Sequence, residues 1–206
     1  MKEDARSTER PVLVVLSGPS GAGKDAVLNR MKEMGIPFHY VVTATTRPRR
    51  PGETHGVDYL FFADEEFNRL RHEGGLLETA EVYGYWYGVP KRQVQEALNK
   101  GEDVILKIDV QGASTIRTLI PGAVLIFLTL PSTEEYEKRL RQRKTESEEA
   151  LKLRLGKVLD EMKSLPLFDY LVVNNQGELD SAVSQIAAIV AAEKCRVDGG
   201  RVEPLL

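Results

Sequence analysis

Short apolar runs alternate along the chain with longer stretches in which apolar side chains recur at helical spacing. The runs are rich in valine, isoleucine and leucine and lie at residues 11–17, 104–108, 124–130 and 170–173. Continuous apolar runs of this length are typical of parallel strands that are buried on both faces of a sheet. Helical spacing is found at residues 24–34, 89–99, 112–119, 132–143, 146–164 and 179–195. The alternation predicts an α/β fold.

The segment at residues 40–88 has a different pattern. Three strand-like patches, VVTATT, DYLFF and LLETAEVYGYWYGV, surround one helical stretch at residues 64–72. We therefore predict a strand-rich insertion at about 40–88 in a core formed by residues 11–39 and 89–195. The charged helical stretch at about 139–163 is interpreted as a solvated lid. Residues 1–10 and 196–206 are predicted to be flexible ends.

Composition narrows the function classes. The 206 residues are 42% hydrophobic and 29% charged, with a net charge of −3, which is typical of a one-domain globular protein. A weakly acidic chain lacks the positive field of a protein that wraps nucleic acid, so any anion site must be local. No apolar run has the length of a membrane span. One cysteine, Cys195, and no signal-like leader favour the cytoplasm.

A glycine-rich turn joins the first apolar run to the first helical stretch. It matches the phosphate-binding pattern G-x-x-x-x-G-K-[ST] except at the last position. In such a turn the backbone N–H groups converge on phosphate oxygens, and the lysine reaches the outer phosphates. This context favours a nucleotide site over a plain turn. The residues concerned are Gly18, Pro19, Ser20, Gly21, Ala22, Gly23, Lys24 and Asp25.

Asp25 departs from this pattern, because a Ser or Thr hydroxyl normally helps to hold Mg²⁺ at that position. A carboxylate beside phosphates is repelled unless a cation lies between them. One hypothesis is therefore that Asp25 binds Mg²⁺ directly or through water. The other is that Asp25 stabilises the helix N-terminus, where an acidic residue is favourable. The residues leave both open.

Three arginines are crowded into TTRPRRPGE at residues 45–53, and GVDY follows at 56–59. Arginine forks match phosphate oxygens in pairs, and tyrosine or threonine hydroxyls add neutral donors. These residues indicate a second anion site. A solvated basic loop and a nucleic-acid contact are the alternatives.

Together with LLETAEVYG-x-WYGV and IDVQGA, these motifs resemble the guanylate kinase family over about residues 12–175. The resemblance implies a three-layer P-loop core with a parallel sheet, an inserted GMP-binding subdomain and a helical lid. It implies transfer of the γ-phosphoryl group of ATP to GMP, with Mg²⁺ as cofactor, in purine nucleotide metabolism. The implied partners are GMP and ATP rather than nucleic acid or a membrane. Monomer and homodimer both remain open.

The resemblance also implies the acceptor-site residues. Arg47, Arg50, Tyr59 and Tyr87 match positions that grip the GMP phosphate. Glu78 matches the position that recognises guanine, and its carboxylate suits the adjacent N1–H and 2-amino donors of that base.

The resemblance concerns two further positions at the same base. Thr43 matches a position that adds a hydroxyl contact to guanine. Many relatives have Ser or Thr where this chain has Val89, so we expect one hydroxyl contact to be missing and selectivity to depend more on Glu78.

Two charges, Lys107 and Asp109, end the apolar run at 104–108 and are spaced for one face of a strand. The carboxyl ends of parallel strands form a ligand crevice, so we expect both to face bound nucleotide. Asp109 matches the family acid near the acceptor. Lys107 stands where relatives commonly carry another acid, and we expect it to pair with Asp109 or a phosphate. A structural ion pair is the alternative.

The lid and the last strand supply the remaining candidates. Phosphoryl transfer depends on alignment and on stabilisation of charge, so no general base is expected. Asn174, after the last strand, is predicted to approach the adenine of ATP, with a plain turn role as the alternative. The resemblance implies that the catalytic residues are Lys24, Arg47, Arg139, Arg143 and Arg154.

Two other functions are alternatives to phosphoryl transfer to GMP. A kinase for a different phosphorylated acceptor, such as a ribose bisphosphate, would have no use for a base-recognising Glu78 with Thr43. A non-catalytic binding module would not need the intact GAGK turn and the arginines.

Overall fold

The structure is a computed structural model that describes residues 10–141 and 148–197. The strands are β1 (Leu13–Ser17), β2 (His39–Tyr40), β3 (Ala44–Thr45), β4 (Leu60–Phe61), β5 (Leu76–Val82), β6 (Tyr85–Pro90), β7 (Val104–Lys107), β8 (Val124–Thr129) and β9 (Tyr170–Val173). The helices are α1 (Lys24–Glu33), α2 (Asp64–His72), α3 (Lys91–Asn99), α4 (Val110–Leu119), α5 (Thr133–Arg141), α6 (Glu148–Met162) and α7 (Leu179–Lys194).

A parallel sheet with the strand order β2-β7-β1-β8-β9 forms the centre of the molecule. Its two central strands, β1 and β8, are buried at every position. Alternate residues of β1 enter different cores: Val14 and Leu16 pack with α1 and α7, while Leu13 and Val15 pack with α3 and α4. Helices therefore cover both faces, as is usual for parallel strands, and the predicted α/β class is confirmed.

A second sheet, with the order β4-β3-β6-β5, lies within residues 44–90. Its longest pairing is the antiparallel hairpin of β5 and β6, which turns at Tyr83 and Gly84. Both turn residues have positive φ, 54° and 76°, as in the type I′ turns that join twisted strands.

The hairpin corrects one predicted boundary. The helix predicted from Val89 begins at Lys91, because Val89 and Pro90 pair with β5. The proposed limits of the insertion at 40 and 88, and of the lid at 139 and 163, stay predictions.

The charged stretch predicted to be a solvated lid is only partly exposed. Leu151 and Val158 of α6 are buried, and Leu155 and Met162 pack against the same core as α1 and α7. These four residues are spaced by four, three and four, which places them on one helical stripe. The high charge of the opposite face concealed this stripe. The predicted flexible ends lie mostly outside the described residues.

Across the two described ranges, no helix combines the length and the apolar character that crossing a membrane requires.

Candidate active site

The glycine-rich turn wraps tightly between the end of β1 and the start of α1. Gly18 has φ +134°, and a Cβ atom there would lie 2.0 Å from the carbonyl oxygen of Leu128 in β8. Gly23 has φ +98°, and a Cβ atom there would lie 2.4 Å from Nδ2 of Asn174. Both positions therefore require glycine on backbone and on steric grounds.

The side chain of Lys24 folds back onto this loop. Its Nζ donates to the carbonyl oxygens of Gly18 at 2.5 Å and Pro19 at 3.2 Å. Burial lowers the pKa of Lys24 and outweighs the opposing attraction of Glu161 and Asp25. The Lys24 ammonium is thus held against the loop where phosphate oxygens would be received.

Asn174 supports the loop from the end of β9. It is 3% exposed, and its Nδ2 donates to the carbonyl oxygen of Ala22 at 2.8 Å. Its own carbonyl oxygen accepts a hydrogen bond from Nη2 of Arg139 at 3.2 Å. Asn174, Arg139 and Asn175 also line a pocket of about 300 Å³ beside α1. The contact of Asn174 with adenine stays a prediction, whereas the structure shows that Asn174 is hydrogen-bonded to the loop.

Glu161 is a site residue that sequence reasoning missed. This α6 carboxylate is 9% exposed, and its Oε2 accepts a hydrogen bond from the backbone N–H of Ser20 at 3.3 Å. Burial raises the pKa of Glu161, while Lys24 opposes the shift. The available signal was a carboxylate three residues after Val158, on the apolar stripe of the helix.

The lid arginines are placed differently from one another. Arg139 of α5 reaches the loop through Asn174. Arg154 of α6 lies with its guanidinium carbon 5.6 Å from the centre of the Tyr83 ring, and Nζ of Lys157 lies 3.9 Å from the same centre. The tip of the β5–β6 hairpin therefore contacts α6. Arg143 lies outside the described residues.

Arg47 and two tyrosines meet on the second sheet. Arg47 is 8% exposed, and its guanidinium carbon lies 5.4 Å from the centre of the Tyr59 ring. The rings of Tyr59 and Tyr87 meet edge to face, with centres 6.0 Å apart. Burial lowers the pKa of Arg47, but Glu53 and Tyr87 outweigh it and leave a net increase.

Glu53 organises this loop, and no role was predicted for it. Its Oε1 lies 2.7 Å from Nη2 of Arg47, and its Oε2 accepts from the backbone N–H of Arg50 at 2.8 Å. Nη1 of Arg47 donates to the carbonyl oxygen of Pro48 at 2.8 Å. The Arg47 guanidinium is therefore oriented by its own loop, while the Arg50 side chain remains exposed.

Glu78 lies on β5 with its side chain in a buried space against α4. The residue is 5% exposed, and among the described residues its Oε2 has no hydrogen-bond partner. Burial, and secondly the charge of Asp109, raise the pKa of Glu78 to about 8. A Cβ atom on Gly112 of α4 would lie 2.8 Å from Oε2, so that glycine leaves room for the carboxylate.

Thr43 and Val89 adjoin Glu78. Val89 pairs directly with Glu78 and is completely buried. Thr43, which is 3% exposed, precedes the Ala44 that pairs with Gly88. The sheet thus brings Glu78 and Thr43, which were predicted to contact the base, close to Val89, where a hydroxyl contact was predicted to be missing.

The predicted pairing of Lys107 with Asp109 is wrong, whereas its pairing with a phosphate stays a prediction. Its Nζ lies 2.5 Å from Oδ1 of Asp25, whereas Asp109 is used as the N-cap of α4 and accepts from the N–H of Gly112 at 2.8 Å. The two residues diverge because β7 ends at Lys107 and Asp109 already caps α4. Ile105 and hence Lys107 face the side of the sheet that α1 covers. Asp25 itself lies in the first turn of α1, whose N-cap is Gly23.

The side chains near the loop set limits on metal binding. Within the described part of the chain, no group of three or more His, Cys, Asp or Glu residues could hold a metal ion. Mg²⁺ is commonly bound by one or two carboxylates together with substrate phosphates and water. The Asp25 carboxylate, 76% exposed and next to Lys24, fits a Mg²⁺ ion that arrives with phosphates, although Lys107 already neutralises one of its oxygens.

Known proteins resemble this chain in sequence and in fold. The family model described as guanylate kinase matches residues 10–193. The chain is 46% identical over 189 residues to guanylate kinase 2, chloroplastic/mitochondrial, of Oryza sativa subsp. japonica, covering 91% of this chain and 66% of the rice protein. It is 43% identical over 188 residues to a guanylate kinase of Shouchella clausii, covering 91% of each.

A solved structure agrees as well. The crystal structure of guanylate kinase from Anaplasma phagocytophilum superposes with a TM-score of 0.75 at 32% identity, covering 92% of this chain and 89% of that one. The resemblance noted in the sequence is confirmed: the chain belongs to the guanylate kinase family.

Proposed function

We propose that this chain transfers the γ-phosphoryl group of ATP to GMP, giving ADP and GDP. The observation that carries the proposal is the Glu78 carboxylate, which is buried without a hydrogen-bond partner for Oε2 among the described residues. Asp109 influences the pKa of both Glu78 and Lys24, which supports one crevice that joins the acceptor base to the phosphate loop.

Guanine suits Glu78 because its N1–H and 2-amino group are adjacent donors. Ionised Glu78 can accept from both, whereas adenine presents a lone pair at N1 and would leave the buried carboxylate unpaired. Sites built around such hydrogen bonds reject an analogue that lacks them by about 10⁴-fold or more. Thr43, also buried, supports the same role with a hydroxyl next to the base. A sugar bisphosphate would make no use of these groups.

The acceptor phosphate is proposed to bind at the loop of Arg47. Arg47, Arg50, Tyr59 and Tyr87 offer charged forks and neutral hydroxyl donors. Because Glu53 and the Pro48 carbonyl already fix the Arg47 guanidinium, little orientation has to be arranged when the phosphate binds.

On the donor side, backbone N–H groups of residues 18–23 are proposed to surround the ATP phosphates with Lys24. Arg139 and Arg154, together with Arg143, are proposed to neutralise charge on the transferred group. Asn174 would hold the loop in shape while its pocket receives the adenine. Mg²⁺ bound with ATP would neutralise phosphate charge, and Asp25 is the residue proposed to hold it, directly or through water.

The setting is proposed to be the cytoplasm, as part of purine nucleotide metabolism. The free and exposed Cys195 suits a reducing compartment. A net charge of −3 gives no reason to propose nucleic acid or an anionic membrane as a partner.

The experiment that tests the function is coupled ADP release with ATP, Mg²⁺ and each acceptor in turn: GMP, dGMP, AMP, UMP and ribose 1,5-bisphosphate. We expect rapid turnover with GMP and turnover with AMP that is lower by about 10⁴-fold. Glu78→Gln should lose this preference for GMP. Glu81→Gln, which changes an exposed carboxylate on the same strand, is its matched control and should behave as the wild type. Turnover with the sugar phosphate only, or no turnover with any of the five acceptors, would rule out the proposed reaction.

A further inference from the structure

Lys107 places a positive charge between the phosphate loop and the acceptor site. Its Nζ lies 2.5 Å from Oδ1 of Asp25, in the first turn after the loop, and 4.4 Å from the centre of the Tyr59 ring. Asp25 and Lys107 are 82 residues apart in sequence, and Tyr59 immediately precedes β4 of the second sheet. One ammonium therefore touches both halves of the crevice.

The surroundings of the Lys107 ammonium are not those expected of a residue whose role is only to stabilise the fold. The Lys107 side chain is 15% exposed, whereas its partner Asp25 is 76% exposed. Burying an ammonium is unfavourable unless it is well paired, and an ion pair with a largely exposed partner stabilises little. Among the described residues, the pair with Asp25 therefore compensates the buried charge of Lys107 only in part.

The donor geometry points in the same direction. An ammonium has three N–H donors, and the contacts to Asp25 and Tyr59 account for two of them. A charged donor beside Tyr59 is suited to an anion at that tyrosine.

We propose that Lys107 binds the phosphate of the acceptor nucleotide together with Tyr59, and that Asp25 is a positioning residue that holds Lys107 there. This inference rests on the proposed function, in which the acceptor phosphate lies at Tyr59. Asp25 then has two effects at one point: it orients the ammonium and, through it, links the start of α1 to the acceptor. The Ser or Thr of the usual phosphate loop could not make this ion pair.

The test compares the binding of GMP and of guanosine by titration calorimetry, without ATP and without Mg²⁺. Guanosine shares the base and ribose with GMP but lacks the phosphate. For Lys107→Met we expect GMP to bind about 10- to 100-fold more weakly, as for loss of a charged hydrogen bond, with guanosine unchanged. Lys100→Met removes the same charge from an exposed position and should change neither affinity.

Asp25→Asn tests the positioning role. It should weaken GMP binding less than Lys107→Met does, and in the double variant it should add nothing, because its effect passes through Lys107. Equal loss of GMP and guanosine affinity in Lys107→Met, or no loss of either, would overturn the inference. A wild-type protein that binds neither ligand would instead overturn the proposed function, so the two failures are distinguishable.

Discussion

The phosphate loop and the acceptor sheet hold their polar groups in opposite ways. In the loop, Lys24 bonds to the carbonyls of its own turn, Asn174 to Ala22 and Glu161 to Ser20. In the acceptor sheet, Glu78 is buried while no described residue bonds its Oε2. The loop is thus organised before any substrate arrives, whereas the sheet keeps a group whose partner is proposed to be the substrate itself.

This difference separates two tasks. A preorganised loop is suited to charge stabilisation, because its backbone is already held in place when phosphates arrive. A buried and unsatisfied carboxylate is suited to selectivity, because it is unfavourable with every ligand except one that supplies the matching donors. The comparison predicts that substitutions in the sheet change the choice of acceptor and that substitutions in the loop change the rate.

The largest effect is expected for Glu78→Gln. The amide replaces one acceptor with an NH₂ donor, which would oppose a donor of guanine. We expect kcat/KM for GMP to fall by about 10⁴-fold and turnover with AMP to change little. Steady-state kinetics with both acceptors measure this. If Glu78→Gln lowered both rates equally, the carboxylate would have no selective role.

The matching loss on the loop side is Lys24→Met. Removal of a charge-stabilising group in such a site lowers kcat by about 10²- to 10³-fold. Binding of GMP should be nearly unchanged, because Lys24 contacts the loop and not the second sheet. Lys32→Met, on the exposed side of the same helix, serves as the control. A variant that weakened GMP binding as strongly as it lowered kcat would contradict the division of tasks.

The same contrast explains what the sequence could predict. The phosphate loop consists of eight adjacent residues between a strand and a helix, so a local sequence pattern is enough to predict its chemistry. The core strands could likewise be predicted from their apolar runs. Glu78 in isolation is an ordinary strand glutamate. Only the resemblance of the chain to the family identified it as a candidate site residue. Its burial and its space against Gly112 depend on the packing of β5 on α4.

Long-range contacts between polar groups were the part that could not be predicted. The bond from Ser20 to Glu161 spans 141 residues, and that from Lys107 to Asp25 spans 82. The spacing along β7 correctly suggested that the charge of Lys107 has a polar partner, but it could not indicate that α1 would supply that partner. The charge on α6 hid the apolar stripe that brings Glu161 to the loop.

A smaller effect is expected for Gly112→Ala. A Cβ atom there would lie 2.8 Å from Oε2 of Glu78, so we expect GMP to bind about 10- to 100-fold more weakly as the carboxylate is displaced. Gly156→Ala is the matched control, because it is also helical and its added Cβ meets nothing within 4 Å. Calorimetric titration with GMP compares the two variants. Equal GMP affinity in both would show that the space around Glu78 is not restrictive.

A graded effect of pH arises from the same carboxylate. Burial, followed by Asp109, raises the pKa of Glu78 to about 8, and guanine requires the ionised form. The affinity for guanosine should therefore rise with pH and level off above about 8, with a limiting slope of about tenfold per pH unit below it. Guanosine is the ligand to use, since its lack of a phosphate removes a second titration. Glu78→Gln should show no such dependence.

Stability of the ligand-free protein should change in the opposite direction. Between the ordinary pKa of a glutamate and about 8, folded Glu78 keeps a proton that the unfolded chain releases, so the free energy of unfolding falls as pH rises. From pH 6 to pH 9 this contribution is about 3 kcal/mol, and it should be absent from Glu78→Gln. Denaturant unfolding of both proteins at the two pH values measures the difference. Affinity that rises while stability falls over one pH range would identify Glu78 as a group left unsatisfied until guanine binds, and parallel changes would assign both effects to other groups.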